Sequence, residues 1–411
     1  MKTTPYFCRE TIWLMLILLV VASFPWSERL NSVGIAGLAV FWILDKNWFT
    51  KIKSFKLTPP ILIYWSFLII QLLGLLQSEQ LPEGIHSIEV KLSLLLLPLL
   101  FSTESYYTPK HEKQIFYTFY LSCLFSFIYT VFHSYQLFGY LGTHMILDRM
   151  SLSEANMHVG YYSNYFALAV LSLSEDLRVH KFNTEFSVLK VVFLLFFLAV
   201  LSILASKTAM IFIVLYLLFL VYKFSEIISS KTTRIAIGIA FGIILLIGLS
   251  RIPTIQYRIR ETIVNLNTPN QEINFSNSSG SRKVAWHYTW QLISKRWIQG
   301  YGTGDGNSLL LDQLKTNHYD DLVKHNMHTH NQILHTWLEN GIVGLVLLLA
   351  IVGISLKIHF KQRQALPFWF AILVLVNIST DDMFEIQAGI VFFVVFLTLY
   401  LFPAKQKEFT S

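Results

Sequence analysis

Residues 328–344 read His-Thr-His-Asn-Gln-Ile-Leu-His-Thr-Trp-Leu-Glu-Asn-Gly-Ile-Val-Gly. They lie where the longest polar segment of an otherwise apolar chain runs back into a Leu/Val-rich helix. The pattern predicts a helix that starts near Asn331, with a titratable group, His330, just before it at the water edge of a membrane. A group at that depth can act on a substrate that a lipid carries.

The composition of the whole chain defines the class of protein. Of the 411 residues, 54% are hydrophobic and only 14% are charged, and the mean hydropathy is +0.51. A soluble chain of this length needs more charge to solvate its surface, so we predict an all-α polytopic membrane protein. The net charge of +7 comes from basic residues in short loops between apolar segments, which indicates topology rather than nucleic-acid binding. No disulfide is predicted, because Cys8 and Cys123 are far apart.

Twelve apolar segments follow one another along the chain, and we predict that each forms a transmembrane helix. Their approximate limits are 11–25, 30–45, 59–77, 87–102, 114–134, 160–174, 188–205, 208–222, 234–250, 341–357, 366–379 and 386–402. Almost all Lys and Arg residues between them fall on one side, whereas the short loops of the other side hold only Arg29, Arg149 and Lys207. Because basic loops stay in the cytoplasm, both termini are predicted to be cytoplasmic.

This topology divides the chain into three parts. Residues 1–250 hold spans one to nine, residues 251–331 form one large loop on the outer side, and residues 332–411 hold spans ten to twelve. A loop of that length is either functional or disordered. The large loop is therefore where we expect polar parts of a site.

One segment of the large loop has helical periodicity. Over 282–297, five positions recur on one predicted helix face: Arg282, Trp286, Trp290, Ile293 and Trp297. Tryptophan prefers the headgroup layer, so we predict an interfacial helix on the outer membrane surface. The glycine-dense segment 300–306 follows this helix rather than a strand, which argues against a nucleotide-binding loop. We interpret it as a turn that permits close backbone approach.

His330 is the candidate for catalysis. A neutral imidazole at a helix start accepts a proton from a sugar hydroxyl, and a charged one holds a phosphate oxygen. The alternative is a capping or surface histidine, because the same region also contains His318, His325, His328 and His335. His328 and His330 suggest a metal pair, yet the spacing offers no further Asp, Glu or His to complete it, so no metal is predicted.

Three cations are candidates for substrate binding. Arg282 follows the predicted N-cap Ser281 and presents a fixed fork of donors at headgroup depth, which suits a lipid-anchored pyrophosphate. The alternative is an arginine that snorkels to lipid phosphates. Lys207 breaks the positive-inside pattern in a tight outer turn, which favours a function. Arg149 stands beside Asp148, so an exposed ion pair is an equal alternative.

The roles of two further charged residues, Glu339 and Lys91, stay open at this point. Glu339 lies nine residues after His330, which on a continuous helix is half a turn out of phase, so the two are predicted to face opposite ways. Glu339 more plausibly ends the short helix together with the Asn-Gly pair at 340–341. Lys91, two residues after Glu89, fits either a neutralising pair or the lining of a cavity.

Several of these features occur together in one known superfamily. They are Ser-Gly-Ser-Arg at 279–282 with Trp286, the turn 300–304, His330-Asn331, and Glu339, Gly341 and Gly344 at the start of a span. With twelve predicted spans and a large outer loop before the tenth, the chain resembles the O-antigen ligase and O-antigen polymerase superfamily of bacterial inner membranes. The motifs cover about residues 200–358.

The resemblance implies an integral-membrane glycosyltransferase of the C-type architecture that acts on the periplasmic side of the inner membrane without metal or cofactor. The implied donor is an undecaprenyl-diphosphate-linked glycan. The implied catalytic base is His330. The substrate-binding set comprises Arg282, Lys207, Arg149 and Asn331, and family members commonly have an arginine at the place of Lys207.

The acceptor separates the functions that the resemblance allows. In ligases it is a sugar hydroxyl of lipid A-core, and in polymerases it is the end sugar of another lipid-linked repeat. Ligase activity is the leading hypothesis and polymerase activity the alternative, because both use the same donor site. A third hypothesis, a transporter of lipid-linked sugars, predicts cations along the spans, whereas the cations here gather at the outer edge.

Overall fold

The structure is a computed structural model that describes residues 5–103, 109–180, 187–225, 230–251, 256, 260, 262–264 and 278–402. All regular elements within these residues are helices, as predicted. In chain order they are α1 (Pro5–Ser23), α2 (Glu28–Ile43), α3 (Trp48–Ser54), α4 (Pro59–Gly74), α5 (Leu81–Lys91), α6 (Ser93–Thr103), α7 (Pro109–Phe138), α8 (Thr143–Ile146), α9 (Arg149–Ala155), α10 (Val159–His180), α11 (Ser187–Leu204), α12 (Lys207–Phe224), α13 (Lys231–Ser250), α14 (Ser278–Lys295), α15 (Gly306–Thr316), α16 (Asp320–Lys324), α17 (Gln332–Lys361), α18 (Ala365–Ile378) and α19 (Gln387–Leu401).

Helix α19 lies at the centre of the helical bundle. Every residue from 388 to 400 is buried, which is typical of a helix that is apolar on all sides and surrounded by others. Its Phe392 ring makes edge-to-face contacts with the ring of Phe24, directly after α1, and with the ring of Phe370 in α18. Aromatic packing therefore joins the two ends of the chain in one core.

Six helical segments among the described residues are long and apolar enough to cross a membrane. They are Pro59–Gln77, Leu81–Thr103, Lys110–Leu141, Ser187–Leu204, Lys207–Phe224 and Gln332–Lys361. Two shorter apolar helices, Ala365–Ile378 and Gln387–Leu401, follow. The chain is thus a polytopic membrane protein, as the composition predicts, while the number of twelve spans stays a prediction.

Helix α17 carries the stretch that connects the polar loop to the membrane. Its N-cap is Asn331, whose side chain accepts a hydrogen bond from the backbone N–H of Leu334 at 3.1 Å. The helix is kinked at Gly341, which has φ +63° and ψ −162°. A Cβ atom there would collide with the carbonyl of Ile298, so only glycine fits. The predicted helix start near Asn331 and the predicted break after Glu339 are both confirmed.

Helix α14 starts and ends earlier than the predicted helix 282–297, and its tryptophan stripe is not one surface. Ile293 is buried against Leu292 and Leu338, whereas Trp290 and Trp297 are about half exposed. Trp297 lies beyond the last helical residue. The prediction of one uniform interfacial stripe is wrong, because tertiary packing against α17 covers part of it; the location of the helix on the membrane surface stays a prediction.

Candidate active site

His330 lies directly before the N-cap of α17 in a left-handed backbone conformation, with φ +44°. Its Nδ1 is 3.0 Å from Oδ1 of Asp381, in the loop between α18 and α19. The backbone N–H of Gln332 donates to the carbonyl of Asp381 at 3.1 Å and fixes this loop against the helix start. About a third of the His330 side chain is exposed. The arrangement holds the ring in place and leaves it accessible.

Asn331 uses both polar atoms of its side chain for structure. Oδ1 caps α17, and Nδ2 donates to the carbonyl of Ser379 at 3.0 Å. Its predicted role in substrate binding is untested, and the contacts give it a capping and positioning role. The residue thereby secures the loop that carries Asp381.

Arg282 reaches the same carboxylate from α14. Its Nη2 is 3.7 Å from Oδ2 of Asp381, and about a quarter of its side chain is exposed. Burial alone would raise the pKa of Asp381, but the hydrogen bond with His330 and the positive charge of Arg282 hold that pKa well below its usual range. Asp381 is therefore ionised and accepts, so in the neutral form of the His330 ring Nδ1 carries the proton and Nε2 has the free lone pair. Within the described residues that Nε2 makes no hydrogen bond.

Asp382 adds a second carboxyl group to the cluster. Burial and the neighbouring charge of Asp381 raise its pKa to about 6. Its Oδ1 is 3.7 Å from Nδ1 of His330. The three residues offer ligand atoms that lie within 4.8 Å of one another, a group that is able to hold a metal ion. The sequence spacing predicted that no Asp, Glu or His completes a metal-ligand set with His330. That prediction is wrong, because Asp381 and Asp382, about 50 residues further along the chain, lie beside it.

Lys207 lies near the start of the helix that carries Arg282. Its Nζ donates to Oγ of Ser279 at 2.6 Å, three residues before Arg282. The structure therefore brings two of the predicted cations to one helix start. For Arg149 the structure describes only the backbone, at the start of α9, and its side chain lies outside the described residues. Asp148 caps that helix by accepting from the N–H of Met150 at 2.9 Å.

A buried charge network lies behind this cluster. Lys91 is fully buried and forms an ion pair with Glu385, not with Glu89. Gln332 also donates to Glu385, at 2.8 Å. Burial would raise the pKa of Glu385, but Lys91 and His335 hold it well below its usual range. A neutralising pair was one of the two predicted roles of Lys91, and it is confirmed with a different partner.

Glu339 holds the glycine-dense turn. Its Oε1 accepts from the backbone N–H groups of Gly304 at 2.9 Å and Gly306 at 3.2 Å. Gly304 has φ +98°, and a Cβ there would overlap the backbone of Gly84, so the interpretation as a close-approach turn is confirmed. Oε1 of Glu339 is also 3.3 Å from Nε2 of His335, and both side chains are buried.

The acids of the 379–386 loop were missed by the sequence analysis. Asp381, Asp382 and Glu385 lie between two apolar segments, where carboxylates are costly unless they are paired. Three carboxylates between apolar segments were therefore a signal, available in the sequence, that these residues have partners or a function. Their partners lie about 50 to 300 residues away along the chain, so spacing alone does not reveal them.

The fold and the site together define a membrane protein in which His330 and Asp381 meet at the start of the kinked helix α17, with Arg282 of α14 beside Asp381 and Lys207 in contact with the first turn of α14. Residues 192–349 match the family model described as O-antigen ligase. The match covers less than half of the chain and includes Lys207, Arg282 and His330, while Asp381 lies beyond it. Residues 192–349 are therefore similar to the O-antigen ligase family, and this match confirms the predicted resemblance to the O-antigen ligase and polymerase superfamily. A search of the curated proteins finds no match.

Proposed function

We propose that the protein transfers a glycan from undecaprenyl diphosphate to a sugar hydroxyl of lipid A-core at the periplasmic face of the inner membrane. One observation carries the proposal: Asp381 contacts His330 through one carboxylate oxygen and Arg282 through the other. The proposed base, His330, and the cation proposed for the leaving diphosphate, Arg282, thus contact the same carboxylate. The O-antigen ligase match over 192–349 supports the reaction class.

His330 supplies the base of the reaction. With Nδ1 donating to Asp381, Nε2 takes the proton of the attacking acceptor hydroxyl. The hydroxyl oxygen forms a bond to the anomeric carbon of the donor while the bond from that carbon to the diphosphate breaks. The diphosphate leaves with the electron pair. Because a glycosyl diphosphate is already activated, alignment and charge stabilisation supply most of the catalysis.

Arg282 and Lys207 stabilise the leaving diphosphate. At 3.7 Å the contact of Arg282 with Asp381 is longer than a hydrogen bond, so its N–H groups are able to donate to phosphate oxygens. Lys207 contributes a point charge near the same helix start. Arg282 belongs to the predicted outer loop and Lys207 contacts Ser279 of the same loop, so a lipid-linked diphosphate at headgroup depth would meet both cations there.

The reaction is proposed to need no metal ion. Arg282 supplies a positive charge beside Asp381, where a divalent ion bound by His330, Asp381 and Asp382 would otherwise supply it. Excess EDTA should therefore leave transfer by the purified protein unchanged. Loss of transfer with EDTA that zinc or magnesium restores would make the three residues a metal site and contradict this part of the proposal.

The central test is transfer by the full-length protein in proteoliposomes, with undecaprenyl-diphosphate-linked glycan and rough lipopolysaccharide. His330→Ala should lower the rate about 10²–10⁴-fold, the usual contribution of a general base. His325→Ala is the matched control, because His325 is an exposed histidine of the same loop. It should transfer as wild type does.

Transfer at the wild-type rate by His330→Ala would remove this histidine from the mechanism. The acceptor distinguishes the two activities of the superfamily. Glycan attached to rough lipopolysaccharide supports ligase activity. A ladder of elongated lipid-linked glycan that forms without rough lipopolysaccharide would assign polymerase activity instead.

A further inference from the structure

A cavity of about 390 Å³ is lined by residues close to the candidate site, among them His328 and Glu385. Its lining comes from the start of α5, the helix α15, the 326–328 segment and the buried layer of α17: Gln80, Glu83, His86, Ser87, Gly304, Asn307, Ser308, Leu311, Asn326, His328, His335, Glu339 and Glu385. We call it the loop cavity. Its volume falls in the range of small-ligand pockets.

Three lining residues carry buried polar atoms that lack a partner among the described residues. They are Nδ1 of His335, Oε2 of Glu339 and Oδ1 of Asn307. His335 and Glu339 are both more than nine-tenths buried. A buried polar atom without a hydrogen bond costs about 1–3 kcal/mol, so three around one cavity point to a ligand that completes them.

The charges of the lining define the chemistry of that ligand. No Lys or Arg lines the loop cavity within the described part of the chain, while Glu83, Glu339 and Glu385 do, so a diphosphate is disfavoured. Glu385 is neutralised by Lys91, and Oε1 of Glu339 is occupied by two backbone N–H groups. The remaining set of amide, hydroxyl, imidazole and carboxylate groups suits an uncharged ligand with many hydroxyl groups.

The loop cavity also has a defined position relative to the proposed reaction. His328 lines it, and its ring centroid is 6.5 Å from that of His330. Arg282 contacts Oδ2 of Asp381, whereas His330 contacts Oδ1. The cation and the cavity therefore adjoin the His330–Asp381 pair at different residues, Arg282 at Asp381 and His328 at His330. A sugar in the loop cavity therefore lies beside His328, next to the His330 ring, while Arg282 on the other Asp381 oxygen is left for the diphosphate.

We propose that the loop cavity is the subsite for the acceptor sugar, with Asn307, His335 and Glu339 as its hydrogen-bonding groups. This inference rests on the proposed glycan transfer, because it names where the second substrate of that reaction binds. Glu339 also holds the glycine turn, so its replacement would test the turn rather than the sugar. Asn307 and His335 are the informative positions.

The experiment measures sugar binding apart from transfer. The probes are the free core oligosaccharide of rough lipopolysaccharide and the free repeat-unit oligosaccharide, both without lipid or diphosphate, with binding followed by saturation-transfer NMR on the full-length protein in nanodiscs. Asn307→Ala should weaken binding of one probe about tenfold, the effect of one lost hydrogen bond of typical strength. His335→Gln, which retains a group near Glu339, should also weaken it.

Matched controls separate this inference from the proposed function. Asn317→Ala removes an exposed asparagine just after α15, and Arg282→Ala removes the phosphate contact; both should bind the free oligosaccharide as wild type does. If wild type binds neither probe, or if Asn307→Ala and His335→Gln bind as tightly as wild type, the inference is overturned. Absence of transfer by the wild-type protein would overturn the proposed function alone, because sugar binding is measured without turnover. Transfer that persists in His330→Ala would remove only that histidine from the mechanism.

Discussion

Helix α17 has a histidine near each end, and the two have different surroundings. His330, before the N-terminus, is about a third exposed and contacts Asp381, which lies 51 residues further along the chain. His359, in the last turn, is fully buried and its Nδ1 lies 2.8 Å from Oε1 of Gln364, five residues away. A distant carboxylate and an accessible ring suit proton transfer, whereas a local amide and a buried ring suit a helix end.

The cavities near the two ends of α17 also differ in how their polar groups are paired. The cavity at the far end is larger, about 720 Å³, and two of the cations that line it, Arg178 and Lys190, are paired with Glu175 and Asp176 at 2.6 Å each. The loop cavity is smaller, and its lining includes buried polar atoms of Asn307, His335 and Glu339 that lack a hydrogen bond within the described residues. Volume alone therefore does not identify the candidate site.

The largest expected effect is the loss of the carboxylate that distinguishes the two histidines. Asp381→Asn removes the charge that orients His330 and stabilises its protonated form, so transfer in proteoliposomes should fall about 10²–10⁴-fold. Gln364→Ala removes the partner of His359 and should leave the rate unchanged. Equal effects of the two substitutions would show that the contrast between the ends has no catalytic meaning.

The kink that separates the two ends should be the next most sensitive position. Gly341→Ala adds a Cβ at φ +63° against the carbonyl of Ile298 and should destabilise the protein by about 2–4 kcal/mol, measured as a lower Tm in detergent. Gly353→Ala is the control on the same helix, because no atom beyond the neighbouring helix backbone lies within 4 Å of its added Cβ. That variant should be as stable as wild type or slightly more so. A Tm of Gly341→Ala equal to that of wild type would mean that the kink is not required.

Much of the fold follows from apolar patterning. The predicted segments 188–205 and 208–222 correspond closely to Ser187–Leu204 and Lys207–Phe224. The predicted single span 87–102 corresponds to one helical segment, Leu81–Thr103, that is long and apolar enough to cross a membrane. Within it, one residue, Leu92, separates α5 from α6, and a one-residue break does not change mean hydropathy, so the sequence pattern does not predict it.

The candidate site was predictable only where its residues belong to local motifs. His330 lies directly before a helix start, and helix starts have recognisable signals. Arg282 is the fifth residue of α14, so the predicted N-cap at Ser281 is wrong, although Arg282 does lie near the helix start. Asp381 is defined by contacts with two segments that lie 51 and 99 residues before it, which no local spacing reports. The acidic loop therefore required the three-dimensional structure.

The two cations of the site allow a finer comparison at one helix start. Arg282→Lys removes the planar fork that suits a diphosphate and should lower transfer about 10-fold to 100-fold. Lys207→Arg supplies a fork and keeps the charge near Ser279, so its rate should equal or exceed that of wild type. The measurement is kcat/KM for the lipid-linked donor. Near-wild-type values of kcat/KM for both variants would show that neither side chain binds the diphosphate.

The smallest expected effect concerns the second carboxyl group, Asp382, and it depends on pH. Its pKa is raised to about 6 by burial and by the charge of Asp381, so between about pH 4 and 6 the folded state holds a proton that the unfolded chain has lost. The stability contributed by that proton is lost as the pH rises through this window. Asp382→Asn stays neutral throughout, so its Tm should match that of wild type near pH 4 and exceed it by about 2–4 °C at pH 7.5. Asp312→Asn, at an exposed position, serves as the control. A Tm difference for Asp382→Asn that is the same at both pH values would show that this carboxyl group ionises as easily as one in water.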